Sequence, residues 1–273
     1  MSEPEFIDGE IGRVAVHHLG GTGDQTLLVS HATGFLGRVY RALAAEVSDT
    51  ARVVAFDFRG HGDSDSPHSE DGFDWQAMTN DLEAVVDHIG ADSLHGFGHS
   101  MGGAALLEAE RRRPGTFTTA MVYEPIVPSG EFGGASPISQ AALGRLRTFP
   151  THADALRRYA SKPPLGLLRA DVLNDYVSHG FAETSNGVTL KCTPEHESAT
   201  FEHAGTIQLD SLSEISLDAV VAKSGDGGLP CQLADSVAEN LPQSTLMHFS
   251  TLSHFGPLQD PVSIANTLRN QLA

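Results

Sequence analysis

The chain has 273 residues, 40% of them hydrophobic and 19% charged, which fits one medium-sized globular domain or one domain carrying an insertion. Its formal net charge of −18, from 35 acids against 17 bases, argues against nucleic acid or an anionic membrane as partner, because displacing phosphate counterions takes clustered Lys and Arg. No apolar run approaches the roughly 18 residues of a membrane helix, which leaves a soluble protein as the expectation.

The first third alternates short apolar β-like runs with helical patterns, the signature of βαβ units. Val14 to His17 reads as an early strand, and Thr26 to Ser30 as a buried one ending at His31. Arg41 to Val47 carries apolar residues at helical spacing, and Arg52 to Phe56 is a further buried strand before the turn-rich stretch Asp57 to Asp65. Ala77 to Ile89 is an amphipathic helix with Met78, Leu82, Val85, Val86 and Ile89 as its apolar stripe. Ser93 to Phe97 is a short strand, Met101 to Arg113 a helix ended by Pro114, and Thr118 to Tyr123 the next strand. From Pro125 to about Ile207 the pattern changes to Pro and Gly punctuation with helix-like pieces and no clear strand alternation. Strand-like runs return at Leu217 to Ala222 and Thr245 to Phe249, and Pro261 to Leu272 is helical. An insertion of roughly 80 residues is too long for an ordinary loop. The expected architecture is therefore a mostly parallel, doubly wound α/β sheet built from residues 1–124 and 208–273. A helical cap, residues 125–207, is inserted between two late strands and lies over the strand ends, where open sheets bind ligands.

The N-terminal MSEPEFIDGE is acidic and lacks the apolar stretch of a signal peptide, so a cytoplasmic protein is expected. Two cysteines, Cys192 and Cys231, have no metal-ligand spacing and are expected to be reduced thiols. The acid load with three lysines points less to life in salt than to GC-rich coding, which gives the same bias.

Chemistry concentrates at Gly98-His99-Ser100-Met101-Gly102, a G-x-S-x-G pattern between a predicted strand and a predicted helix. A serine on a strained strand-to-helix turn has its hydroxyl lifted above the sheet, and the glycines let neighbouring backbone pass without a Cβ clash. His99, inside this turn, is expected to orient backbone and point away from Ser100. With His31 to Phe35, the Asp57-Phe58-Arg59-Gly60-His61-Gly62-Asp63-Ser64 stretch, and His254 with Phe255-Gly256-Pro257, the chain resembles the α/β-hydrolase superfamily from roughly residue 14 onward. Arg59 and His61 match a turn that is usually structural in that superfamily.

The resemblance implies the order serine, acid, histidine. His254 follows the strand Thr245 to Phe249 and precedes the last helix, the place from which an imidazole reaches the serine hydroxyl as base. The acid has two candidates. Asp226 follows the strand Leu217 to Ala222, the commoner position, in a Gly-rich setting that would leave its carboxylate mobile. Glu124 follows the strand Thr118 to Tyr123 and precedes Pro125, which fixes the backbone; it is the favoured candidate. Its placement looks like that of the zearalenone-type lactone hydrolases. Acyl transfer also needs two backbone N–H groups for the oxyanion, expected from Met101 and Thr33. The superfamily's usual His-Gly is His31-Ala32 here, which puts a methyl group in the oxyanion loop; the His31 ring is expected to brace that loop.

The expected activity is hydrolysis of a carboxylic ester or lactone of a hydrophobic small molecule through an acyl-enzyme, falling off below about pH 6 because the imidazole must be neutral. No cofactor and no metal are expected; a metal at Glu195-His196-Glu197 lacks a second ligand cluster. A C–C bond hydrolase or cofactor-free perhydrolase on the same residues, and a non-catalytic ligand-binding homologue, are the alternatives. A serine where epoxide hydrolases and dehalogenases use Asp argues against those two reactions. Cap residues Leu143, Leu146, Phe149, Leu165, Leu167, Leu168 and Phe181 fit either an apolar pocket or the cap's own core. A monomer or homodimer is expected.

Overall fold

The structure, a computed structural model, describes residues 3–130, 133–205 and 208–273. In chain order the first half holds β1 (Glu5–Asp8), β2 (Arg13–Gly20), β3 (Gln25–Ser30), α1 (Arg41–Glu46), β4 (Ala51–Phe56), α2 (Trp75–Ile89), β5 (Leu94–His99), α3 (Met101–Arg112) and β6 (Thr119–Tyr123). The inserted segment holds α4 (Pro137–Leu143), β7 (Thr148–Phe149), α5 (His152–Ala160), α6 (Ala170–His179), β8 (Phe181–Thr184), β9 (Gly187–Leu190) and α7 (Pro194–Glu202). The chain ends with β10 (Asp218–Ser224), α8 (Leu229–Asn240), β11 (Ser244–Phe249), α9 (Gly256–Gln259) and α10 (Pro261–Leu272).

Eight strands form one sheet in the order β1-β2-β4-β3-β5-β6-β10-β11, with the six from β4 to β11 parallel and β1 and β2 antiparallel at one edge. The chain runs outward from β3 to β4, then returns to place β5 on the other side of β3. The loops after β3 and β5 therefore diverge at a switch point, the place at the carboxyl ends of the strands where open α/β sheets bind ligands.

Successive side chains of each strand enter opposite apolar layers. Leu28, Val54 and Phe56 join Met78 and Leu82 of α2, Leu106 of α3 and Val237 of α8; Leu27, Val29, Val53 and Ala55 join Leu43 of α1 and Leu268 of α10. Burial on both faces explains why these strands read as continuous apolar runs. Along α2, Met78, Leu82 and Val85 recur at helical spacing and are fully buried, each contributing about 1.5–3 kcal/mol. Asp74 caps this helix by accepting from Gln76 N–H at 2.7 Å, and Gly90, at φ 55°, ends it.

The inserted segment is more mixed than its sequence suggests. Besides four helices it forms a three-stranded antiparallel sheet, β7-β9-β8. Its strands are two to four residues long, too short to show a period. Among the described residues it has no separate core: Phe149, Leu168, Tyr176 and Phe181 belong to the same apolar cluster as α1 and α10. Leu143, Leu146 and Leu167 are exposed, so the apolar residues noted in this segment divide between that shared layer and the solvent side. The expected end of the cap, Ile207, lies outside the described residues. Both cysteines are free and buried, and among the described residues no helix is long and apolar enough to cross a membrane.

Candidate active site

β5 ends at His99 and α3 begins at Met101, so Ser100 alone makes the turn, with φ 57° and ψ −116°. Its N–H donates to Tyr123 O at 2.9 Å, and its carbonyl accepts from Ala104 N–H at 3.1 Å. The turn is possible because two neighbours lack side chains. A Cβ on Gly98 would lie 2.5 Å from Gly103 Cα, and one on Gly102 would lie 2.2 Å from Ser30 O. The start of α3 thus rests directly on β3 and β5, with its N-terminus at Ser100.

His254 sits between β11 and α9, and its Nε2 lies 3.2 Å from Ser100 Oγ. The other ring nitrogen, Nδ1, lies 2.6 Å from Glu124 Oε2. Glu124 is fully buried at φ 44°; its Oε1 accepts from Ser224 N–H at 2.7 Å and its own N–H donates to Ala222 O at 2.8 Å. Ser100, His254 and Glu124 therefore form one hydrogen-bonded row. Asp226 is close but engages differently. Its Oδ2 accepts from the main-chain N–H of His254 at 3.1 Å and its Oδ1 from Gly228 N–H at 3.0 Å. Burial pushes the Asp226 pKa up, but these bonds and one with Ser224 outweigh it and hold the carboxyl below its ordinary value. Asp226 is exposed, as its Gly-rich setting suggests, with one N–H from that loop, Gly228, and one from His254 bonded to its carboxylate.

Thr33 and Met101 are in contact, with the Thr33 hydroxyl donating to Met101 Sδ at 3.4 Å. In the loop after β3, Ala32 N–H donates to Tyr40 Oη at 3.3 Å, Gly34 N–H to His61 Nε2 at 3.0 Å and Phe35 N–H to Ala32 O at 3.1 Å. Among the described residues the Thr33 N–H alone in this loop segment has no acceptor. Met101, first in its helix, has no intrahelical acceptor either. These two backbone N–H groups thus have no acceptor among the described residues. Ala32 replaces the superfamily's glycine without strain, because the positive φ of the loop falls at Gly34 (77°) instead.

Buried neutral histidines brace this loop. His31 Nδ1–H donates to Ala32 O at 2.8 Å while its Nε2 accepts from Phe58 N–H at 3.0 Å. His61 Nδ1–H donates to Arg59 O at 3.0 Å, leaving Nε2 for Gly34. Burial lowers their pKa values to about 4 and about 3, so each ring keeps one donor and one acceptor. His99 turns away from Ser100: its Nδ1 lies 2.8 Å from Tyr40 Oη and its Nε2 2.7 Å from His254 O.

Arg59 is buried and forks onto Asp81 at 2.7 and 2.8 Å, a structural pairing. Glu195 faces Arg147 at 3.8 Å, Glu197 pairs with Arg145, and His196 packs on Phe73 at 5.0 Å, so these three do not converge as metal ligands. His17, Asp57 and Asp63 do bring ligand-capable atoms within 4.8 Å of one another. The Asp57 oxygens there already accept from Gly37 N–H at 2.7 Å, Asp63 N–H at 2.8 Å and His17 Nε2 at 2.8 Å, which makes the group a brace for the turn after β4. Sequence reasoning did not single out Tyr40, Arg145 or Tyr176. Their partners lie far along the chain, and no local spacing marks them.

The family model described as the alpha/beta hydrolase family matches residues 26–261. The magnesium-chelatase 30 kDa subunit of Rhodobacter capsulatus is 26% identical over 227 residues, covering 81% of this chain and 77% of that protein. Epoxide hydrolase A of Mycobacterium tuberculosis is 25% identical over 149 residues, covering 54% of this chain and 42% of that one. The crystal structure of the esterase RhEst1 from Rhodococcus sp. ECU1013 superposes with a TM-score of 0.75 at 18% identity, covering 99% of this chain and 98% of that chain, a likeness of fold alone. The chain belongs to the alpha/beta hydrolase family.

Proposed function

We propose that the protein is a serine hydrolase that cleaves a carboxylic ester or lactone of a hydrophobic small molecule through an acyl-enzyme. The observation that carries this reading is the row Ser100 Oγ, His254 Nε2–Nδ1, Glu124 Oε2, at 3.2 and 2.6 Å, beside the open N–H groups of Thr33 and Met101. Neutral His254 takes the Ser100 proton as Oγ attacks the carbonyl carbon. Glu124 fixes the tautomer that leaves Nε2 free and stabilises the imidazolium that forms. The two backbone N–H groups hold the tetrahedral oxyanion. His254 then gives its proton to the leaving alkoxide, and a water activated by the same ring releases the acyl group. In a lactone the alcohol and the acid leave as one molecule.

An apolar substrate suits the rings that meet beside the row: Phe35 lies 5.4 Å from Tyr176 and 5.8 Å from Phe255, and Phe255 lies 5.5 Å from His254, ring centre to ring centre. The curated relatives carry unlike names, a chelatase subunit and an epoxide hydrolase, so membership of the family does not choose the reaction. The test is hydrolysis of short and medium chain p-nitrophenyl esters, with a fluorophosphonate probe for Ser100. Ser100→Ala is expected to lower kcat by ~10⁴- to 10⁶-fold and to abolish labelling. A wild-type chain that neither turns over esters nor labels at Ser100 refutes the reading.

A further inference from the structure

The base loop and the oxyanion loop come from opposite ends of the sequence, yet one run of three hydrogen bonds joins them behind the elbow. It starts at Ala32 N–H, which donates to Tyr40 Oη at 3.3 Å. It continues from Tyr40 Oη to His99 Nδ1 at 2.8 Å and ends from His99 Nε2 to His254 O at 2.7 Å. Tyr40 and His99 are both essentially inaccessible to solvent.

Proton counting fixes the direction of the run. The His254 carbonyl can only accept, so the single proton of a neutral His99 must sit on Nε2. Nδ1 then carries a lone pair and takes the Tyr40 hydroxyl proton, which leaves a Tyr40 oxygen lone pair for Ala32 N–H. Every member is satisfied in one arrangement and in no other. Burial lowers the His99 pKa well below its ordinary value and raises that of Tyr40, so neither charged form interrupts the run.

We propose that His99 and Tyr40 are positioning residues that hold the His254 ring and the Thr33 N–H in mutual register across the Ser100 turn. The proposal rests on reading Ser100 and His254 as the reacting pair. Neither side chain touches the substrate in this account; each acts through the backbone it holds. Asp226 grips the main-chain N–H of His254, and His99 grips the carbonyl of the same residue, so its main chain is fixed on both sides while Glu124 fixes the ring. Tyr40 ties the N–H just before Thr33 to the same histidine. A displacement of about 1 Å between a base and the oxyanion donors is worth ~100-fold in rate.

The experiment is steady-state kinetics on a p-nitrophenyl ester for wild type, Tyr40→Phe, His99→Gln, His99→Ala and the Tyr40→Phe/His99→Gln pair, with melting temperatures for each. Tyr40→Phe is expected to lower kcat by ~10-fold to ~100-fold with KM unchanged. His99→Gln, whose amide N–H can replace Nε2–H, is expected to retain more activity than His99→Ala. The double variant is expected to be no worse than the poorer single, because one broken link already uncouples the loops. Wild-type kcat in Tyr40→Phe, or fully additive losses in the double variant, overturns the proposal. A second measurement needs neither variants nor activity: the side-chain ¹⁵N spectrum of the wild-type histidines is expected to show His99 protonated on Nε2 alone. A proton on Nδ1 overturns the proposal even if ester hydrolysis stands. An inactive, unlabelled wild type refutes the serine-hydrolase reading while this spectrum still decides the hydrogen-bond run.

Discussion

Ser100 and Glu124 are the two non-glycine residues, among those described, whose backbone has positive φ, at 57° and 44°. They occupy equivalent places on neighbouring strands, because the residues before them, His99 and Tyr123, are paired in register between β5 and β6. Each strand end is thus bent in the same unfavourable sense, and each bend brings one side chain to the His254 ring. The surrounding bonds, Ser100 N–H to Tyr123 O and Glu124 N–H to Ala222 O, hold both bends. Such strain persists only where the rest of the structure over-determines it.

From this pairing follows a ranking of the two carboxylates. Glu124→Ala removes the acceptor on the His254 ring and is expected to lower kcat by ~10³- to 10⁴-fold. Asp226→Ala removes an acceptor from the main chain only, and is expected to cost less than ~10-fold, since His99 still holds the carbonyl. Steady-state kinetics on one ester decides it. A larger loss at Asp226 would place the acid after β10 and leave Glu124 as a strand-end brace.

Backbone strain at the elbow predicts a stability difference between two inactive variants. Ser100→Gly relieves about 1–3 kcal/mol of positive-φ strain and gives back up to about 1 kcal/mol through a looser unfolded chain. Ser100→Gly is therefore expected to be about 1 kcal/mol more stable than Ser100→Ala in urea denaturation. Equal midpoints would mean that the bend carries no strain worth measuring.

How far the sequence carries depends on whether the deciding interactions are local. The elbow was legible because strand, turn and helix signals adjoin within β5–Ser100–α3. The last helix was legible from Pro261 to Leu272, since Asp260, which accepts from Ser263 N–H at 3.1 Å, caps it and a proline opens it. β1 was missed because a four-residue, largely exposed edge strand shows no alternation. The small sheet β7-β9-β8 was missed because its strands are two to four residues long, too short for an alternation, and its β7–β9 pairing joins segments some forty residues apart, although β8 and β9 form a local hairpin. Glu124 and Asp226 both follow strand ends in sequence. What separates them is direction, and that is set by the φ of 44° at Glu124 and by the loop N–H groups that claim Asp226. Tyr40 holds the loop after β3 from another element and carries no local signature, whereas His61, which accepts from Gly34 N–H, lies in the Asp57 to Ser64 stretch already read as a structural turn.

The buried neutral histidines make stability depend on pH above the carboxylate range. His31 and His61 titrate near 4 and 3 in the folded chain against 6.5 for a free ring, in each case because burial disfavours the cation. His99, His95, His179 and His196 are lowered in the same sense, with burial the largest cause. As pH falls past 6.5 the unfolded chain binds protons that the folded chain refuses, so stability is full above 6.5 and drains toward about 4. For His31 alone the difference amounts to about 3 kcal/mol when fully expressed. Urea midpoints are expected to fall steadily from pH 7 to pH 4.5 at constant m-value. A flat midpoint over that range would show that these rings are solvated and charged in the folded state.

Within the inserted segment, beside Gly34, a charge pair ties the end of α4 to α7 and should be fragile to halving. Arg145, just beyond α4, pairs with Glu197 of α7, and its Nη2 donates to Tyr176 Oη at 2.6 Å and Tyr159 Oη at 3.4 Å. The two side chains are only 19% and 12% exposed, and a Cβ on Gly34 would lie 2.5 Å from Glu197 Oε1. Glu197→Ala leaves the guanidinium with two phenol oxygens and no counter-charge, and removing one partner of such a pair costs about 3 kcal/mol. Replacing both, as Arg145→Met with Glu197→Leu, removes the stranded charge along with the attraction and is expected to lie much closer to wild type in urea denaturation. A Glu197→Ala loss below about 1 kcal/mol would instead mark the pair as solvent-screened, in the range of surface bridges, and would leave the shared apolar layer around Phe149, Tyr176 and Phe181 to hold the segment in place.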